Sequence, residues 1–111
     1  MELRKAWCRE TAHPSYQGDW TEDNPSYGQC CVTALVMQDL YGGDIYECKV
    51  QGKRHYVNIT QEGYLHDFTS SQFGDMQLVY SDMKQRTRTS LLKSQSVKER
   101  YDLLKARMEA M

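Results

Sequence analysis

What this 111-residue chain lacks narrows it quickly. It has two prolines, no internal repeat and no low-complexity segment. No apolar run approaches the roughly 18 residues that a membrane-spanning helix needs, so no membrane association is expected. Charge of one sign is absent as well: 14 basic and 15 acidic residues leave a net charge of -1. That balance removes the electrostatic footprint of a nucleic-acid binder or of a domain held on an acidic membrane. The one basic cluster, Lys84-Gln85-Arg86-Thr87-Arg88, reads as a solvated face. No signal peptide is visible, because Met1-Glu2-Leu3-Arg4-Lys5 leads straight into a charged amphipathic segment. A cytoplasmic setting with reduced thiols is therefore expected. Neither C-x-x-C nor H-x-x-x-H occurs, and adjacent cysteines chelate a tetrahedral metal poorly; no metal or other cofactor is expected. A phosphate-cradling glycine loop is missing too, since Gly42-Gly43 follows an apolar helix instead of preceding one.

What is present suits one α+β domain over residues 1–111 with a lean core. Hydrophobic residues make up 40% of the chain, and the mean hydropathy is -0.76. Eight Tyr and two Trp supply much of the large apolar surface, each with a polar tip that needs a partner or water. Four cysteines stand at 8, 30, 31 and 48. Vicinal disulfides are strained and rare, which sets Cys30–Cys31 aside. A Cys8–Cys48 bridge remains open on spacing, and the expected compartment argues against it.

Leu3, Ala6 and Trp7 mark one face of a short N-terminal helix. Residues 13–29 have no periodicity and hold Pro14, Gly18, Asn24, Pro25 and Gly28, the punctuation of a loop. A loop that long in so small a domain is more often functional than idle. His13 is expected to be exposed within it. Cys30–Tyr41 reads as a helix apolar on most sides, interrupted only at Thr33, Gln38 and Asp39 and stopped by Gly42-Gly43. Three strand-like runs follow at 45–50, 55–60 and 64–69, best arranged as an antiparallel meander. Residues 70–73 suit a helical turn and 76–80 a further strand, while 81–95 carry no deciding pattern. From Ser96 the stripe Val97, Tyr101, Leu104 and Met108 predicts a helix docked on the sheet or on the N-terminal helix.

Gly28-Gln29-Cys30 is the most informative step. It sets a thiol in the first turn of a helix, where unpaired N–H groups and the macrodipole favour a negative charge. A thiolate is stabilised there, and the same N–H groups can hold an oxyanion. A buried cysteine in an apolar helix is otherwise an ordinary small hydrophobe. The hairpin adds to this. Thr60-Gln61-Glu62-Gly63-Tyr64 fits a three-residue loop with Gly in the left-handed region. Pairing Thr60 with Tyr64 puts Val57 opposite Asp67 and His55 opposite Thr69. His55 and Asp67 are then diagonal neighbours on one face, within side-chain reach. That face also holds Val57, Ile59 and Leu65, so it is expected to pack on the central helix. Tyr56, Asn58, Tyr64, His66 and Phe68 are expected on the outer face. The parity selects Asp67 over His66. Cys31 lies about 100° around the helix from Cys30, so only one of them faces the hairpin, and spacing leaves the choice even.

Trp20, Asn24-Pro25, Gly28-Gln29-Cys30, Thr33 to Val36, Gln38-Asp39, Gly42-Gly43, His55 to Asn58, Gly63, Asp67, Thr69 and Gln72-Phe73 together resemble the YunG-like family of small bacterial and phage proteins. The likeness runs from about Ala6 to Phe73 and continues more loosely at Arg100 to Leu104. It favours Cys30 over Cys31, because the recurrent cysteine of that pattern follows Gly-Gln. The order Cys at a helix start, His on a strand and Asp on the next is similar to papain-like and transglutaminase-like enzymes. That similarity implies a minimal papain-like α+β core and a Cys30–His55–Asp67 site for amide or thioester acyl transfer, as a cysteine hydrolase, deamidase, isopeptidase or acyltransferase. Papain-like proteases usually carry a second subdomain for which 111 residues leave little room, so broad proteolysis is not implied. Gln29 or Asn58 is the candidate second oxyanion donor beside the Cys30 N–H, and Trp20 with the long loop would line the acyl site. The alternative is a protein-binding module that keeps the scaffold without turnover, using the Tyr-rich outer face of the hairpin. Either way the partner is a protein or a small acyl substrate, and the oligomeric state is not readable.

Overall fold

The computed structural model describes residues 3–111. Among these, the N-terminal segment forms a single helical turn, α1 (Leu3–Ala6), and a 3-10 turn at Arg9–Thr11. The long loop winds through a second 3-10 stretch, Pro14–Asp19, capped by the buried Trp20. The central helix α2 spans Cys30–Tyr41, with Val32 to Met37 buried without a break. It ends where Gly42 and Gly43 take positive φ. A Cβ on Gly43 would sit 2.5 Å from the Ile59 carbonyl oxygen, so this close pass of chain against β2 needs glycine.

The sheet has the order β3-β2-β1-β4 and every pair is antiparallel: β1 (Asp44–Val50), β2 (Lys53–Ile59), β3 (Leu65–His66) and β4 (Ser81–Arg86). The hairpin register expected from the Thr60–Tyr64 loop is the one found, with Asn58 opposite His66 and Ile59 opposite Leu65. The third strand is far shorter than the expected 64–69. Asp67 turns the chain instead: its carboxylate accepts the N–H and the hydroxyl of Thr69, and a 3-10 turn, Ser70–Phe73, follows. Residues 75–80 are irregular and do not form the strand expected at 76–80. The polar stretch beyond them is ordered, as β4 and then α3 (Arg88–Leu92).

Helix α4 (Gln95–Glu109) starts on Ser94, whose hydroxyl accepts the N–H of Val97. Its expected stripe faces inward, with Tyr101 and Leu104 buried and Val97 and Met108 packed at the margin. The stripe closes mainly on α2 together with Trp7, Leu35 and Ile45. Polar positions within this core find partners. Trp7 Nε1 donates to Thr33 Oγ1 at 2.9 Å, and Asp39 takes Arg88 at 2.8 Å and the Tyr101 hydroxyl.

The assignment of sheet faces to layers is the reverse of the expectation. Helix α2 covers the face of Ile45, Tyr56 and Asn58: Asn58 Nδ2 donates to the Ala34 carbonyl at 3.0 Å, and Tyr56 and Phe68 pack against the helix-side core. The face of His55 and Val57 looks the other way. There Cys48, Val50 and Val57 form a second, small apolar cluster with Tyr46, Phe73, Leu78 and Tyr80. Alternation separates the two faces of a strand, but it does not say which is roofed by helix when the other is roofed by irregular chain. The Tyr-rich outer face is accordingly dispersed, with Tyr64 and His66 exposed and Tyr56 half-buried.

Candidate active site

His55 is 1% exposed at the centre of that second cluster. Its Nε2 lies 2.8 Å from Asp67 Oδ2. Phe73 meets the ring edge-on at 5.3 Å and Tyr80 stacks at 6.3 Å, centroid to centroid. A carboxylate this enclosed needs donors, and Asp67 has them: His55 and the Tyr80 hydroxyl (2.8 Å) on Oδ2, the Thr69 N–H (3.2 Å) and hydroxyl (3.3 Å) on Oδ1. Tyr80 carries no sequence signal for this role. It sits in a segment without pattern, and only the fold brings it to Asp67.

Cys30 approaches the same imidazole from α2. Because β3 pairs only with Asn58 and Ile59, β2 has no strand neighbour on that side from Lys53 to Val57, and the helix start reaches round the open edge. Cys30 and His55 line one cleft with Gln72, Phe73 and Tyr27. Burial pulls the His55 pKa down, but hydrogen bonding with Asp67 and with Cys30, and the negative charge of both, outweigh it and raise the pKa to about 9. At neutral pH the ring is therefore an imidazolium between a carboxylate and a sulfur. Cys30 itself is half-buried at the first position of a helix whose N-terminus has no side-chain cap. The neighbouring Cys31 is a different group: burial first, and then the charge of Cys30, push its thiol up to about 12. Cys48, directly across the ladder from His55, is pushed up to about 11 by burial and by Asp67. All four cysteines are free thiols.

A side-chain strut ties the two halves of the site. Gln72 Nε2 donates to the Thr69 carbonyl and hydroxyl, both at 3.1 Å. Its Oε1 accepts the N–H of Gly28, two residues before Cys30, at 3.3 Å. Ser26 and Ser71 add a hydroxyl pair at 2.8 Å, and Asn24 Nδ2 donates to the Gln72 carbonyl at 3.2 Å. Gly28 has φ +75°, and a Cβ there would meet Tyr16 at 2.9 Å, so glycine is required at the bend into α2.

The other sequence candidates lie apart from this cluster. Gln29 is fully buried and turns its Nε2 to the Cys8 carbonyl at 2.9 Å, which corrects its assignment as an oxyanion donor. Asn58 is bound to the Ala34 carbonyl on the helix side of the sheet and cannot serve that role either. Trp20 donates to the Pro25 carbonyl and faces a separate groove with Arg4, Arg9 and Arg107; the long loop still lines the Cys30 cleft, but through Tyr16 and Tyr27. His13 is exposed as expected, with Nδ1 accepting from Ser15 N–H.

The fold and this cluster define an α+β protein in which a helix-terminal cysteine meets a buried His–Asp pair at an open sheet edge. The chain belongs to the YunG family, whose model, described as YunG protein, matches residues 1–111. It is similar to the uncharacterized protein YunG of Bacillus subtilis (strain 168), with 44% identity over 71 residues that cover 64% of this chain and 56% of that protein. The chain thus spans little more than half of that relative's length. No solved structure matches it. Among the described residues, no helix is long and apolar enough to cross a membrane.

Proposed function

We propose that the protein is a cysteine hydrolase or acyltransferase in which Cys30, His55 and Asp67 act in the papain-like order. The observation that carries this reading is the His55–Asp67 contact of 2.8 Å in a ring that also interacts with Cys30. With Nε2 held by Asp67, Nδ1 is the nitrogen left for the sulfur. The Cys30 thiolate attacks the carbonyl carbon of an amide or thioester, and the oxygen takes the charge beside the N–H groups opening α2. His55 gives its proton to the departing amine or thiol as the bond to the carbonyl breaks. Water, or an acceptor amine or thiol, then attacks the acyl-enzyme, returns a proton to His55 and releases the Cys30 thiolate. Asp67 fixes the tautomer and orientation of the ring throughout.

Iodoacetamide alkylation of Cys30 across pH tests the reading. The expected profile shows rapid reaction well below pH 8 that disappears in His55→Ala, and labelling by an acyl-electrophile probe that disappears in Cys30→Ala. If Cys30 reacts as an ordinary thiol, the non-catalytic binding module takes the place of the enzyme.

A further inference from the structure

On the helix side of the open edge, Cys30 also borders a second cleft of about 550 Å³. Its charged lining is unbalanced: Lys49, Arg54, Lys84 and Arg100 stand against Glu47 and Asp82. Glu47 is already engaged by Arg86 at 2.6 Å, and by Arg54 at 3.8 Å.

Arg100 is the unusual member. It is 7% exposed, and the contact found for it is Nε to Ser96 Oγ at 3.2 Å. Among the described residues no carboxylate lies within ion-pair distance of it. The other arginines of this half of the molecule are matched: Arg86 with Glu47, Arg88 with Asp39, and Arg107 with the Ala6 carbonyl. In Arg100, Nε alone is bonded, and its terminal nitrogens are not among the buried atoms without a partner, so they stay open to solvent and to an anionic group. The sulfurs of Cys31 and Cys30 lie close enough to act on Arg100 electrostatically. Cys31 is held as a neutral thiol, and an acylated Cys30 carries no charge.

We propose that this cleft binds a substrate bearing a carboxylate or phosphate group, held by Arg100 with Arg54, while its carbonyl lies at Cys30. The substrate class is thus an anionic acyl compound, such as an acyl chain or peptide end carrying an acid. The guanidinium fork suits planar or tetrahedral oxyanions in a bidentate contact. This assignment deepens the hydrolase reading and rests on Cys30 as the reacting atom.

Two reagents of nearly equal size test it, iodoacetate and iodoacetamide, with Cys30 modification read by fragment-ion mass spectrometry. In each, the sulfur displaces iodide from the CH2 carbon, and the reagents differ in the charge they bring. The iodoacetate-to-iodoacetamide rate ratio at Cys30 is expected to exceed that of free cysteine by about tenfold, the worth of one charge-assisted contact. Arg100→Gln should collapse the ratio and Arg100→Lys restore part of it. Arg54→Gln, at an exposed position, lowers it without touching the core, and Lys93→Gln leaves it unchanged. Slowing of alkylation by acetate assigns the carboxylate, and slowing by inorganic phosphate the phosphoryl group. A ratio equal to that of free cysteine overturns the anion cleft, as does a raised ratio that survives both Arg100→Gln and Arg54→Gln, which would trace it to the His55 imidazolium. Slow reaction with iodoacetamide itself counts against the hydrolase reading instead, and the ratio is read in either case.

Discussion

The two faces of the sheet are built on different terms. The helix-side core draws Trp7, Val32, Leu35, Met37, Ile45 and Leu104 from α2, α4, β1 and the N-terminal segment, and its buried polar groups, Thr33 and Asn58, are uncharged. The opposite cluster rests on Cys48, Val50 and Val57, is covered by irregular chain at Phe73, Leu78 and Tyr80, and surrounds the buried ionic pair His55–Asp67. Close-packed apolar surface supplies net stability, whereas a buried ion pair roughly breaks even against its desolvation. The difference implies a division of labour, in which one face holds the molecule folded and the other holds a charge arrangement that an apolar replacement would serve equally well for stability alone.

Substitutions on each face sharpen this contrast. Leu35→Ala, at a fully buried position of α2, should cost about 2–5 kcal/mol in urea unfolding. Where the variant remains folded, its Cys30 alkylation profile should be unaltered. Asp67→Asn removes the charge but little volume and should cost about 1.5–3 kcal/mol, the worth of a hydrogen bond to a charged group. Its larger effect is on reactivity: the His55 pKa falls from about 9 toward or below 6.5, which NMR titration of the ring would register, and the low-pH alkylation of Cys30 falls with it.

The same shift sets a pH dependence. A histidine whose pKa is raised on folding contributes stability that is fully present below 6.5 and is lost as pH climbs through about 9. Urea midpoints should decline over that window in the wild type more than in His55→Gln. An equal decline in both would place the raised pKa elsewhere. Gly28→Ala should cost about 1–2 kcal/mol, because φ is +75° and the new methyl meets Tyr16. It should also slow Cys30 alkylation, since the bend places the helix start. Tyr80→Phe removes one of the donors on Asp67 and should lower stability by about 1 kcal/mol. A larger change in the alkylation profile than in Asp67→Asn would show that Tyr80, and not the carboxylate, orients the ring.

Much of this was legible in the residues, for identifiable reasons. The bounds of α2 follow from an apolar run closed by two glycines. The hairpin register follows from a loop whose length and glycine admit one pairing; the His55–Asp67 contact is present as expected, but through the turn at Asp67 and not through the extended ladder. Which layer covers which face was not legible, because parity is symmetric between a roof of helix and a roof of loop. Strand β4 has no sequence signature because it is an exposed edge whose residues, Ser81 to Arg86, lack apolar alternation. Tyr80, Gln72 and Arg100 reach the site across long sequence separations, which no local pattern encodes. Thr69 and Gln72 did stand among the residues carrying the family resemblance, with no geometry to say why.

The Gln72 strut has a consequence in time as well as in space. Its bond to the Gly28 amide closes a loop of 44 residues, whereas the contacts that stop α2 and close the β2–β3 hairpin are local. Long closures cost entropy before they return any contact energy. Helix α2 and the β2–β3 hairpin can therefore form while Cys30 and Asp67 are still apart. The meeting of Cys30 with the His55–Asp67 pair thus follows the formation of the local elements that the strut joins.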